Sequence, residues 1–177
     1  IEKINRVLHK INLRTIFDQI IKLLAGIPSI VYGLFGLEII VQMLSGMNGG
    51  RDGKGILACS LLLAIMVLPT VTSLVKNALE AVPESYLEGA LALGNSKAQA
   101  VFCVVLPAAR SGIISALILA LGRAVGEAMA VIWVSGNRAL FPSGLFSNIR
   151  TMTTNIVMEM GYATGLHQSA LLATGFV

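Results

Sequence analysis

Charge is what this sequence has least of. Asp, Glu, Lys and Arg make up 12% of its 177 residues, about half the share of an average soluble domain. Aromatics are also few, at 6% with one Trp. The net charge of +4 is therefore not accompanied by basic residues interleaved with aromatics, and a nucleic-acid surface is not indicated. The two cysteines, Cys59 and Cys103, form neither a CxxC pair nor a His/Cys cluster, so neither a metal site nor a disulfide is expected. Both read as ordinary small buried residues. His9 and His167 have no partner spacing and read as structural or interfacial. No GxxxxGK[ST] stretch offers a phosphate-cradling loop. The opening residues, IEKINRVLHKINLR, are basic and amphipathic. They lack the apolar core and small-residue cleavage site of a signal peptide. The chain starts without Met and ends at LLATGFV within an apolar run, so it reads as a fragment cut at both ends.

What is there is apolar. Hydrophobic residues make up 55%, with 18 glycines, and the mean hydropathy is +0.81. A membrane helix needs about 20 mostly apolar residues. Stretches at 23–44, 56–75 and 112–134 meet this, and a fourth, 163–177, is cut short. The expected fold class is all-α, a polytopic membrane helix bundle, with residues 1–177 forming a single, partial transmembrane domain. Pro28, Gly26, Gly33 and Gly36 interrupt the first stretch, and Pro69 interrupts the second. Such breaks persist in lipid only where neighbouring helices or a cavity satisfy the freed backbone groups. Glu38 reads as interfacial.

Lys and Arg in the connecting segments set orientation. Lys3, Arg6, Lys10, Arg14, Lys22, Lys76, Lys97 and Arg110 fall on one side; Arg51, Lys54, Arg138 and Arg150 fall on the other. The larger set marks the cytoplasmic face, which places the N-terminal end and the loop 78–110 there.

That loop is far longer than the 2–8 residues a helix hairpin needs. Pro83 suits the first position of a helix and Glu84 its first turn. Gly94 suits a left-handed helix end. Asn95 or Ser96 suits the cap of a second helix, which Pro107 stops or kinks. The pattern predicts helix, glycine bend, helix. Gly89, Ala90 and Ala92 would let another surface approach closely. A connector lying on the membrane surface is an equal alternative.

The stretch GRAVGEA puts Arg123 and Glu127 in an otherwise apolar span. Four residues apart on a helix, they share a face and can pair. A charge at the bilayer centre costs at least about 2.5–3.5 kcal/mol, so such groups face a bundle interior or a wet pathway. A guanidinium fork suits oxyanions, while an ion pair that fixes helix packing is the structural alternative. Gly122 and Gly126 have the small-xxx-small spacing of close helix contacts. After the span, apolar spacing predicts a short helix near 149–160.

These motifs resemble a known family. Glu88-x-Ala90, Gly94 six residues after the Glu, and Val104-x-Leu106-Pro107 resemble the EAA loop of ABC importer permeases, with Gly89 and Val104 as mild departures. AGIPSIVYGLFGL, ALGRAVGEAMAV and RTMTTNIVMEMG are similar to the permease subunits of the phosphate-specific ABC importer, within the binding-protein-dependent transport inner-membrane component family. Of that importer's two related membrane subunits, the chain is more similar to the one with a SxxRTMTxNIxxEMG segment after the third span. The resemblance covers about residues 20–177.

It implies the MetI-like permease bundle in the bacterial or archaeal inner membrane, and phosphate transport rather than catalysis. Glu88, Gly89, Ala90, Gly94, Leu106 and Pro107 would couple to an ATPase. Arg123 and Glu127 would line the substrate pathway. Arg150, Thr151, Thr153 and Thr154 would offer outer-side anion contacts, with helix capping and loop hydrogen bonding as their alternative role. The implied partners are an ATPase subunit dimer, a second homologous permease subunit, an extracytoplasmic phosphate-binding protein and the lipid bilayer, with no cofactor. A permease for sulfate or molybdate, an ion-coupled carrier using Arg123 and Glu127 as a proton relay, and a non-transporting scaffold remain alternatives.

Overall fold

The structure is a computed structural model that describes residues 13–176. His9 and the basic residues Lys3, Arg6 and Lys10 lie outside the described residues. The described residues are mostly helical, with a single isolated bridge between Gly136 and Ile149 and no strand. In chain order the helices are α1 Leu13–Gly26, α2 Ser29–Met47 and α3 Ile56–Glu80, and α4 Glu84–Ala92. They continue with α5 Lys97–Ala108 and α6 Arg110–Gly126, α7 Val131–Val134, α8 Met152–Glu159 and α9 Leu166–Gly175. By length and composition α2 and α3 can each cross a membrane; α5 and α6, bent 65° at their junction, qualify together.

The chain divides into two compact units. Among the described residues, one comprises 27–66 and 123–176, the other 13–26 and 67–122. The first holds the apolar core. Tyr32, Ile40, Val41 and Leu44 of α2 pack with Ala58, Cys59, Leu62 and Met66 of α3 and with Ala130, Val131 and Val134 around α7. Residues Gly36–Val41 widen α2 into a π-helical segment, and Gln42 donates to the exposed Glu38 at 3.1 Å. The N-terminal amides of α3 have no partners within the helix. Carbonyls elsewhere in the unit take them up: Val134 for Gly55 at 2.9 Å, Ser147 for Ile56 at 3.2 Å and Leu145 for Leu57 at 3.0 Å.

In the other unit Lys76 of α3 pairs with Asp18 of α1. Cys103 departs from expectation: it is exposed whereas Cys59 is buried, because no residue of α5 from Val101 to Val105 is buried within this unit. Pro69 sits inside α3 and cannot donate to the Ile65 carbonyl.

Gly33 is the tightest point of the core. A Cβ there would lie 2.7 Å from Trp133 Cδ1 and 3.0 Å from both Cα and O of Ala130, whereas at Gly46 it would meet nothing within 4 Å. Backbone cannot yield as a side chain can. Gly33→Ala is therefore expected to destabilise the protein by about 1–3 kcal/mol through overpacking. Gly46→Ala, in the same helix, should gain up to about 1 kcal/mol in helix propensity. Thermal unfolding of both variants in detergent checks the contrast.

Candidate functional site

The helix–glycine–helix loop is built by local rules. Pro83 takes the position just before α4 (φ −57°, ψ 139°), one residue earlier than the sequence pattern places it, and Glu84 occupies the first turn. At the far end Gly94 adopts φ +88°. Its amide bonds the Leu91 carbonyl at 3.0 Å, and the Asn95 amide bonds the Ala90 carbonyl at 3.2 Å. This pair of bonds is the Schellman closure, which favours glycine at the left-handed position. Ser96 rather than Asn95 caps α5. Its hydroxyl accepts from the Gln99 amide at 3.3 Å, and its own amide donates to the Gln99 side chain at 2.9 Å. Pro107 then lies within α5. It cannot donate to the Cys103 carbonyl, and that carbonyl belongs to the π-helical segment Val101–Val105.

Of the predicted coupling residues, Ala90 is buried, while Glu88, Gly89, Gly94, Leu106 and Pro107 are exposed. Gly89 faces open space, with nothing within 4 Å of its Cβ position. The exposed apolar side chains Tyr86 and Leu93, the latter 86% exposed, share this loop. Motif reasoning passed over both. Their signal was an aromatic and a leucine on a helix with few buried positions to fill.

The second candidate site lies in the core unit. The helical register that would set Arg123 and Glu127 on one face stops at Gly126. Instead of one helix over 112–134, the chain forms α6, four non-helical residues and the short α7. The Glu127 carboxylate accepts from the Ala130 amide at 3.0 Å, so it stabilises the start of α7. The Glu127 carbonyl accepts from the Thr153 hydroxyl at 3.1 Å. Arg123 is exposed on the chain by itself and Glu127 is half-buried.

Thr151 caps α8, accepting from the Thr154 amide at 3.2 Å. Its hydroxyl lies 3.0 Å from those of both Thr153 and Thr154, and Thr154 is fully buried. The structure thus brings Glu127 together with the three threonines. Arg150 is engaged elsewhere: it donates to the Asn137 carbonyl at 3.2 Å, to Asn155 at 3.1 Å and to Glu159 at 3.0 Å. His167, without a partner by spacing, lies 3.7 Å from Glu159.

The side-chain interaction with Tyr162 does most to hold the Glu159 carboxyl below its ordinary pKa; burial opposes it, and Arg150 and His167 reinforce it. The same interaction with Glu159 raises the Tyr162 phenol above its ordinary value. A depressed carboxylate stabilises the fold above its unfolded pKa, and that contribution is lost as the pH falls through the lowered folded value. Glu159→Gln should therefore flatten the acid side of the stability–pH curve, read by thermal unfolding on both sides of the ordinary carboxylate range. In the loop, Ser96→Ala should cost about 1 kcal/mol. Gly94→Ala should cost about 1–2 kcal/mol, because an L side chain resists the left-handed conformation. Unfolding midpoints of the two variants check both.

The chain matches the family of binding-protein-dependent transport system inner membrane components over residues 7–177. It is 36% identical to the probable ABC transporter permease protein YqgH of Bacillus subtilis, covering 93% of this chain and 54% of that protein. It is 37% identical to the phosphate transport system permease protein PstC of Xylella fastidiosa (strain Temecula1), covering 93% of this chain and 57% of that protein. The same protein of Mesorhizobium japonicum is 36% identical, with the same coverage of both. The chain thus spans about half the length of the curated relatives it matches. No solved structure shows a significant match. Mostly helical in its described residues, with two helices able to cross a membrane and matched over nearly its whole length, the chain belongs to the binding-protein-dependent transport system inner membrane component family.

Proposed function

We propose that this chain is part of a membrane subunit of an ATP-driven importer that carries inorganic phosphate across the cytoplasmic membrane. The observation that carries the reading is the likeness, over 93% of the chain, to proteins named phosphate transport system permease. The excess of Lys and Arg on one side supports a cytoplasmic position for α4 and α5. There Glu88, Gly89 and Gly94, with the exposed Tyr86 and Leu93, meet an ATPase dimer that hydrolyses ATP. A second, homologous permease subunit completes the pathway, and an extracytoplasmic binding protein delivers phosphate from outside.

Arg123 supplies transient charge compensation to the anion. Its planar fork matches phosphate oxygens, and it sits four residues before the break at Glu127. Backbone broken at membrane depth is tolerated where it is buried in protein or lines a wet cavity, which supports a pathway beside this break. Glu127 orders the backbone at the break by accepting the Ala130 amide. Arg150 and the threonines belong to the support of that break, with anion contact a lesser role.

The test uses the full-length protein in its complete complex, reconstituted in vesicles. Arg123→Ala should lower labelled phosphate uptake about 10- to 100-fold, the loss of one hydrogen bond to a charged group, while the complex still assembles. Uptake at the wild-type rate would remove Arg123 from the pathway. Labelled sulfate or molybdate entering in preference to phosphate would move the reading to another oxyanion.

A further inference from the structure

Loops 48–52 and 138–148 of the core unit border an open pocket of about 500 Å³ that none of the motifs above includes. Arg51 and Arg138 both line it. Among the described residues neither guanidinium has a hydrogen bond or ion pair. The carboxylate in the same wall, Asp52, is already engaged. It accepts from the Lys54 amide at 3.0 Å and from the Asn148 side-chain amide at 3.2 Å. The lining therefore carries two uncommitted positive groups against one solvated and hydrogen-bonded negative group.

A third donor follows from counting lone pairs. The Ser147 hydroxyl oxygen accepts from the amides of Ser143 and Gly144, each at 3.0 Å. Both its lone pairs are then used, and its proton goes to the Ser143 hydroxyl oxygen, 3.1 Å away. The Ser143 hydroxyl proton is left with no acceptor and is free to donate. Two arginines and one serine with a free hydroxyl proton line one pocket whose remaining wall includes Leu145 and Phe146. Donors of this kind, partly walled by apolar side chains, suit a compact oxyanion with several acceptor oxygens.

We propose that this cavity binds a phosphate group, at a site separate from Arg123. Resting on the import reading above, its occupant is inorganic phosphate held on the outward side before it enters the pathway. A lipid headgroup carries the same chemistry and is the other source. The site is weak by construction. Both arginines are exposed and screened by water and salt, so the anion is released readily.

The test is protection of individual arginines from phenylglyoxal in the full-length complex, read by peptide mass spectrometry without ATP. In vesicles of phosphatidylcholine alone, inorganic phosphate should slow modification of Arg51 and Arg138 together, and chloride at equal ionic strength should not. Ser143→Ala should raise the half-protecting phosphate concentration about tenfold, the loss of one hydrogen bond to a charged group. Protection that needs phosphatidylglycerol and not free phosphate would support the site with the lipid as its occupant. Unprotected arginines under both conditions would overturn it. The readout does not depend on transport: a complex that imports phosphate while both arginines stay unprotected loses only this site. A complex that imports another oxyanion while phosphate still protects them loses only the import reading.

Discussion

Every interruption of a helix in apolar surroundings releases backbone amides and carbonyls that need partners, and this structure depends on where those partners come from. At the start of α3 they are carbonyls of Val134, Leu145 and Ser147. At the break after α6 they are the Glu127 carboxylate and the Thr153 hydroxyl. After α4 they are the neighbouring amides and carbonyls around Gly94. Each solution pins a loop against a helix end. Together they give partners to backbone groups that the interruptions free, and no buried side-chain nitrogen or oxygen among the described residues lacks a partner.

This view changes the meaning of the polar residues in the span. An acid and a base four apart read first as an ion pair, because the helix is assumed to continue. Once the helix stops at Gly126, the Glu127 carboxylate takes up the Ala130 amide ahead of α7. The threonines after Arg150 then act on the same break from the other end of the unit's sequence, through the Glu127 carbonyl.

How much of this was legible in the sequence depends on the range of the interaction. Pro83, Gly94 and Ser96 act within a few residues of themselves, so the loop could be read almost residue by residue; the structure moved Pro83 by one position and chose Ser96 over Asn95. The all-helical class followed from composition. The break at Glu127 was not legible, because Thr153, which takes up its carbonyl, lies 26 residues away. The arginine-lined pocket was hidden for the same reason: Arg51 and Arg138 line one pocket only because two loops far apart in sequence come together. The π-helical widening in α2 had no marker beyond Gly36, whose Cβ position lies 3.0 Å from side-chain atoms of Leu62 and Val134.

The two units also differ in what they bury. The core unit hides Leu44, Leu62, Met66, Val131 and Val134, large side chains that interlock as knobs between neighbouring helices. In the other unit, Pro69 apart, the buried described residues are all alanine: Ala90, Ala100, Ala109, Ala116 and Ala120. Alanine surfaces have no knobs to lift out of holes. The leucine and valine core must unpack before its helices can shift against one another, whereas the alanine contacts offer little side-chain volume to unpack.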